Sequence, residues 1–143
     1  MEMRAAYKRF DAKLPGSPTF PRIISLPPLA PDFIHPVDRE HVERRLRQMP
    51  EGHLVGLRAV FLLSGTRKQE QMWRRSVICY GAYWRACVFL CAYPFGRYRY
   101  IDDVRNFCLN STLPHEVAHH LDDRNNSTQD REAFANAFVE RNG

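Results

Sequence analysis

The sequence lacks the features of a membrane-spanning or secreted chain. No apolar stretch approaches the roughly 20 residues that a transmembrane helix needs. Residues 1–13 carry several charges, and they contain no apolar segment of the kind found in a secretion signal. These absences favour a cytoplasmic protein with no membrane partner.

The sequence also lacks any C-x-x-C pair, so its cysteines do not follow a structural zinc pattern. In a cytoplasmic chain they are expected to be small apolar core residues. The four cysteines are Cys79, Cys87, Cys91 and Cys108.

What is present is typical of one globular domain. The chain has 143 residues, of which 44% are hydrophobic and 26% charged, and no internal repeat or low-complexity segment occurs. The net charge of +5 is a weak indication of nucleic acid as a partner, because acidic residues are mixed among the basic ones. The basic clusters at residues 44–47 and 97–99 fit a solvated surface better than a phosphate contact.

Proline is concentrated near the N-terminus. Seven of the ten prolines lie between Pro15 and Pro36, which predicts an extended, irregular segment over residues 14–36 without helix or strand. We divide the chain into this N-terminal segment, residues 1–36, and a domain over residues 37–143. The apolar residues of the segment predict that it lies against the domain. We favour a position on the far side of a sheet over the alternative, an inhibitory position along a substrate cleft.

The rest of the chain alternates between helical and strand patterns. Asp38 is a good N-cap, and Val37 and Val42 stand at the positions of a hydrophobic staple. Thr112 and Ser127 are the expected caps of two later helices. The predicted helices cover residues 38–49, 113–122 and 128–141, and the predicted strands cover 54–63, 76–83 and 85–93, with a tight connection near Trp84 and Arg85.

One motif in the penultimate helix indicates chemistry. His115, Glu116 and His119 form an H-E-x-x-H sequence. Histidines four residues apart project from one face of a helix, so both imidazoles can bind one Zn²⁺. Glu116 is rotated away from that face, which suits a general base that acts on a zinc-bound water. The alternative is a pair of solvated histidines on an ordinary helix.

A catalytic zinc site needs a third protein ligand. The metzincin pattern is excluded, because Asp122 and Asn125 occupy the positions of its glycine and its third histidine. The final helix offers Glu132 as a ligand, with Asn136 one turn further as a residue that supports the ligand shell. A solvated Glu132 is the alternative, and Asp122 or Asp123 would then be the next candidates.

The two helices together resemble those of a known enzyme class. His115 to His120, followed by Arg131 to Phe138, is similar to the gluzincin metallopeptidases, especially the minigluzincins, and to antirepressor-cleaving bacterial peptidases. The order of helix, strand and second strand before the motif is also similar, so the resemblance covers roughly residues 38–141.

The resemblance implies a zinc-dependent endopeptidase that acts on a peptide or protein. It implies zinc held by His115, His119 and Glu132, with Glu116 as base and proton shuttle and Asn136 orienting His115. The implied fold is α+β, with a small, mostly antiparallel sheet packed on the motif helix and closed by the glutamate helix. Peptides would bind as an added strand at a sheet edge.

One part of such a site has no clear counterpart in the sequence, namely the tyrosine or histidine that stabilises the oxyanion. The candidates from elsewhere in the chain are Tyr80, Tyr83, Tyr98 and Tyr100. This gap and the basic charge leave a second hypothesis open. The chain is then a zinc-bearing regulatory or binding module with little turnover, acting in a DNA-linked stress or repressor pathway.

Overall fold

The computed structural model describes residues 2–68, 81–93 and 101–122, together with Asn136, Phe138 and Val139. The helices are α1 (Glu2–Phe10), α2 (Arg39–Arg47), α3 (Ile101–Phe107) and α4 (Leu113–Leu121). The strands are β1 (Arg22–Ser25), β2 (Ala59–Leu63), β3 (Gly81–Trp84) and β4 (Cys87–Cys91). Of the predicted final helix over residues 128–141, the three described residues are helical, and its cap Ser127 lies outside the described residues.

The fold is α+β, as expected, but the sheet is mostly parallel. Its strand order is β1-β2-β4-β3, in which β2 pairs parallel with both β1 and β4, and only β3 is antiparallel to its neighbour. The prediction of a mostly antiparallel sheet is therefore wrong. Strands β2 and β4 are buried along their whole length. Continuous apolar strands of this kind are typical of parallel sheets that are covered on both faces.

Side chains of β2 and β4 alternate between two apolar layers. On one face, Val60 and Val88 belong to a core with α2 and α4. On the other face, Phe61 and Phe89 stack at 5.1 Å and belong to a second core with α1. The sheet thus separates α1 from the helix that carries the H-E-x-x-H motif. None of the helices in the described part of the chain is both long and apolar enough to cross a bilayer.

The proline-rich segment contributes a strand to this sheet. Ile23 and Ile24 of β1 pair with Val60 and Phe61, so the prediction of no strand over residues 14–36 is wrong. The reason is local, because β1 begins just after Pro21 and ends before Pro27, and it occupies an outer position where flanking prolines are tolerated. Leu14 and Ile24 lie in the core on the α1 face, whereas Phe20 and Ile23 pack against the core on the α4 face. The segment therefore lies against the domain, as expected, but on both faces of the sheet and not only on the far side.

The predicted strand over residues 54–63 is too long at its N-terminal end. A short 3₁₀ turn occupies Glu51–His53, and Gly56 has a φ of +81° in the loop that follows. The Leu57 N–H also donates back to the Leu54 carbonyl oxygen, so these residues form a turn and β2 begins at Ala59.

Two local predictions are confirmed. The Asp38 side chain accepts a hydrogen bond from the His41 backbone, and His41 reciprocates, which completes a capping box at the start of α2. Strands β3 and β4 are joined by a two-residue turn in which Arg85 and Ala86 have φ of +49° and +60°. Such turns match the twist of a hairpin.

Candidate functional site

The motif helix α4 places its two faces as its sequence predicts. Leu113, Val117 and Ala118 are fully buried in the core under the sheet. His115 and His119 are partly exposed on another side of the helix. Burial of the apolar side therefore fixes the rotation of the helix, and that rotation leaves both imidazoles accessible at the surface.

The beginning of this helix differs from the prediction. Thr112 has φ and ψ of −60° and −53° and makes no capping hydrogen bond, so it is helical and the prediction that it caps α4 is wrong. A π-helical turn, Cys108–Thr112, joins α4 to α3 without a break. Pro114, which lacks an N–H, stands directly after the widened turn and within the first turn of α4, as the sequence predicts.

The two motif histidines lie next to each other. Their ring centroids are 4.9 Å apart, and the rings are nearly perpendicular, at 82°. Two imidazoles bound to one tetrahedral Zn²⁺ through bonds of 2.0–2.1 Å would have centroids about 5 Å apart. The spacing of the His115 and His119 rings therefore fits a shared zinc ion.

The third expected ligand, Glu132, lies outside the described residues. Within residues 2–68, 81–93, 101–122 and the three described residues of the final helix, no group of three His, Cys, Asp or Glu side chains comes together. Phe138 of the final helix is buried in the same core as Leu113 and Val117. Asn136 is exposed, and its hydrogen bond to His115 stays a prediction.

Glu116 lies between the motif helix and the sheet. Its side chain is only 8% exposed. A Cβ atom at Gly81, the first residue of β3, would lie 3.4 Å from Cγ of Glu116 and 2.7 Å from Cγ2 of Thr112. The strand therefore passes so close to α4 that only glycine fits at this position, and the start of β3 is held against the candidate base.

Strand β3 is one of the two edge strands of the sheet within the described part of the chain. Like β4, it packs beside α4, and its four residues are all partly exposed. Within the described residues, this strand edge beside α4 is one of the two at which an extended peptide can pair with the sheet.

His120 links α4 to this strand. Its Nδ1 lies 2.8 Å from the hydroxyl of Tyr83, and its Nε2 lies 2.9 Å from the carbonyl oxygen of Val55. His120 therefore points away from the motif pair, as the helical spacing predicts. Burial raises the pKa of Tyr83, so its phenol stays protonated at neutral pH.

Of the four tyrosines considered as oxyanion donors, only Tyr83 lies within the described residues, and its hydroxyl is bonded to His120. Tyr80, Tyr98 and Tyr100 lie outside them. The sequence did not predict the contacts of Gly81 with α4 or of Val55 with His120. The closeness of Gly81 to Glu116 had no local signal, because it depends on contacts between distant parts of the chain.

A cavity of about 690 Å³ lies between residues 19–20, the C-terminal end of α2 and the turn over residues 51–55. Val55, which bonds to His120, is one of its lining residues. His53 of this turn contacts Phe138, with ring centroids 5.2 Å apart.

Comparison of the chain with protein-family models, with curated proteins and with solved structures finds no match.

Proposed function

We propose that this chain is a zinc-dependent endopeptidase of the gluzincin type. The observation that carries the proposal is the pair of neighbouring imidazoles, His115 and His119, on a helix whose opposite side is fixed by the core. In this proposal Glu132 is the third ligand. The burial of Phe138 beside α4 supports it, because this residue belongs to the same predicted helix as Glu132.

In this proposal the chain supplies both the base and the substrate platform. His115, His119 and Glu132 would hold a zinc ion, which would supply Lewis acidity and lower the pKa of a bound water toward 7. Glu116 accepts a proton from the attacking water and later returns it to the leaving amine. The low exposure of Glu116 supports this role, because a shielded carboxylate interacts strongly with a reacting group.

Peptide would pair with the edge of β3 opposite β4, where no other strand lies within the described residues, and so pass in front of α4. The antiparallel hairpin holds this strand through β4, which is fully buried. The scissile bond would then lie close to Glu116, because Gly81 brings the beginning of β3 against this residue.

The first test measures metal content. Purified wild-type protein is expected to contain one zinc per chain, and His119→Ala is expected to lose it. The control is His41→Gln, which removes a histidine but leaves a glutamine able to keep the capping box of α2. Chelation should lower the melting temperature of the wild type, because metal that binds only the folded state stabilises it. Full zinc content in His119→Ala would refute the site.

The second test separates catalysis from metal binding. Glu116→Gln should retain zinc and lower cleavage of a mixed peptide library by about 100-fold or more, because the carboxamide cannot accept a proton. Activity near the wild-type level would show that Glu116 is not the base. A wild-type protein that binds zinc but cleaves nothing would favour the second function, a zinc-bearing regulatory or binding module. The bonded state of the Tyr83 hydroxyl is the observation that keeps this alternative open.

A further inference from the structure

The proposed mechanism leaves unused a pair of contacts that His120 makes with two other elements of the fold. Its two ring nitrogens bond to the Tyr83 hydroxyl and to the Val55 carbonyl, at 2.8 and 2.9 Å. The Tyr83 and His120 rings also touch, with centroids 5.6 Å apart. One imidazole at the end of α4 thus joins the helix, the strand beside it and the turn before β2.

The chemistry of the partners fixes the direction of both hydrogen bonds. A backbone carbonyl only accepts, so Nε2 of His120 carries the hydrogen that is donated to Val55. In the neutral ring Nδ1 is then an acceptor, and the Tyr83 hydroxyl donates to it. Both polar ends of the ring are therefore satisfied in a single orientation.

The turn that accepts from His120 is itself held in place. The backbone N–H of Gly56 donates to the carbonyl oxygen of Pro18, at 2.9 Å. A Cβ atom at Gly56 would lie 3.7 Å from two atoms of the His120 ring, so the ring rests on the turn. The turn is thus bonded to the segment before β1. Because His120 bonds both to this turn and to Tyr83, it fixes the position of β3 relative to the turn.

Two contacts then set where β3 lies on α4. Gly81 and Tyr83 are two residues apart and so share one face of the strand. Gly81 lies against Thr112 and Glu116, and Tyr83 is bonded to His120. Positions 112, 116 and 120 follow one another at intervals of four along the helix, so the strand crosses one stripe of it. Glu116 is in the middle of that stripe.

We propose that His120 is a positioning residue, which through Tyr83 holds strand β3 at the place where a peptide paired with the strand lies next to Glu116. This inference rests on the proposed peptidase function for its catalytic consequence. In this proposal His120 contacts neither the substrate nor the metal. Its effect is expected on the binding of peptide, because a loosened strand must be ordered each time a peptide pairs with it.

The test compares two variants that each lose one phenolic hydroxyl. Tyr83→Phe breaks the bond to His120. Tyr7→Phe is the matched control. The Tyr7 hydroxyl accepts a hydrogen bond from Arg58, and the residue lies in the core on the opposite face of the sheet. Tyr83→Phe is expected to raise KM for peptide about fivefold with kcat and zinc content unchanged, the factor that corresponds to one net hydrogen bond. Tyr7→Phe is expected to leave KM unchanged.

Three results would overturn the proposal. The first is an unchanged KM in Tyr83→Phe. The second is a fall in apparent kcat at unchanged KM, since this is the signature of a smaller folded fraction and of a merely structural role. The third is additivity of Tyr83→Phe and His120→Ala in KM, because two substitutions that break the same bond should not add.

A readout without catalysis separates this inference from the proposed function. Amide hydrogen exchange at Ala82–Trp84 should be about fivefold faster in Tyr83→Phe than in Tyr7→Phe, whether or not metal is bound. If the wild type cleaves no peptide, the proposed function fails, while faster exchange still supports the positioning of β3 by His120. Equal exchange in the two variants would overturn the positioning of β3 by His120.

Discussion

The closest approach between strand β3 and the motif helix gives the sharpest prediction about this fold. Gly81→Ala would add a Cβ atom 2.7 Å from Cγ2 of Thr112, 3.2 Å from the Phe89 carbonyl oxygen and 3.4 Å from Cγ of Glu116. Gly81 has no left-handed φ, so the substitution strains the contact and not the backbone. Neither the strand nor the helix can absorb the added methyl without moving.

The expected size of the effect follows from two opposing contributions. Adding a methylene or methyl group to a packed contact costs about 1–3 kcal/mol. Replacing glycine by alanine restricts the unfolded chain and returns about 0.4–1 kcal/mol. Gly81→Ala should therefore lower the free energy of unfolding by about 1–2 kcal/mol. Gly52→Ala, where a Cβ atom meets nothing within 4 Å, carries only the second contribution and should be neutral or slightly stabilising.

Thermal unfolding followed by circular dichroism measures this difference. For a chain of this length, the predicted loss corresponds to a fall of roughly 3–7 °C in the unfolding midpoint. Peptide cleavage by the folded protein should fall as well, because the new methyl displaces either β3 or the Glu116 side chain, whereas zinc content should not change. If Gly81→Ala unfolds at the same temperature as Gly52→Ala, the close approach of β3 to α4 is wrong, and with it the placement of the strand beside Glu116.

Three further predictions concern other parts of the chain. Glu132→Ala should lose zinc affinity measured by competition with a chelator, and Asn136→Ala should lose less, about 10–100-fold; wild-type affinity in Glu132→Ala would place the third ligand elsewhere. The Arg58 guanidinium, 2.8 Å from Asp11, lowers the pKa of this carboxyl, so the pair stabilises the fold above pH ~4 and loses this effect as the pH falls through the lowered pKa. Urea midpoints of Asp11→Asn and wild type should therefore converge in acid, and a constant difference would contradict the ion pair. Deletion of residues 1–35 removes α1 and β1 and should give aggregated protein by light scattering; a soluble, folded product would contradict their place in the core.

The parts of the fold that could be predicted are those whose signals are local. The capping residue Asp38, the tight connection after Trp84 and the apolar side of α4 all depend on neighbours within a few positions. The H-E-x-x-H motif belongs to the same group, because two histidines at a spacing of four share a helix face whatever the rest of the chain does.

The parts that could not be predicted depend on distant segments. Whether β4 runs parallel or antiparallel to β2 is decided by how the chain returns to the sheet, and both arrangements bury the same apolar strand. Thr112 has a side chain suited to a cap, yet α3 precedes it and makes it part of a longer helical run. A local capping preference is worth only about 1 kcal/mol, so tertiary packing overrides it.

The position of the N-terminal arm bears on whether the protein can inhibit itself. Strands β1 and β3 occupy opposite ends of the order β1-β2-β4-β3, and three strand spacings separate them by about 14 Å. Residues Arg22–Ser25 therefore cannot pair with the edge of β3 opposite β4, where we propose that peptide binds. They instead pair with β2, while Leu14 packs on the face of the sheet opposite α4. The extended character of the arm is used to complete the sheet, so any loss of activity on deleting it should follow from loss of the fold, and no truncation within β1 should raise activity.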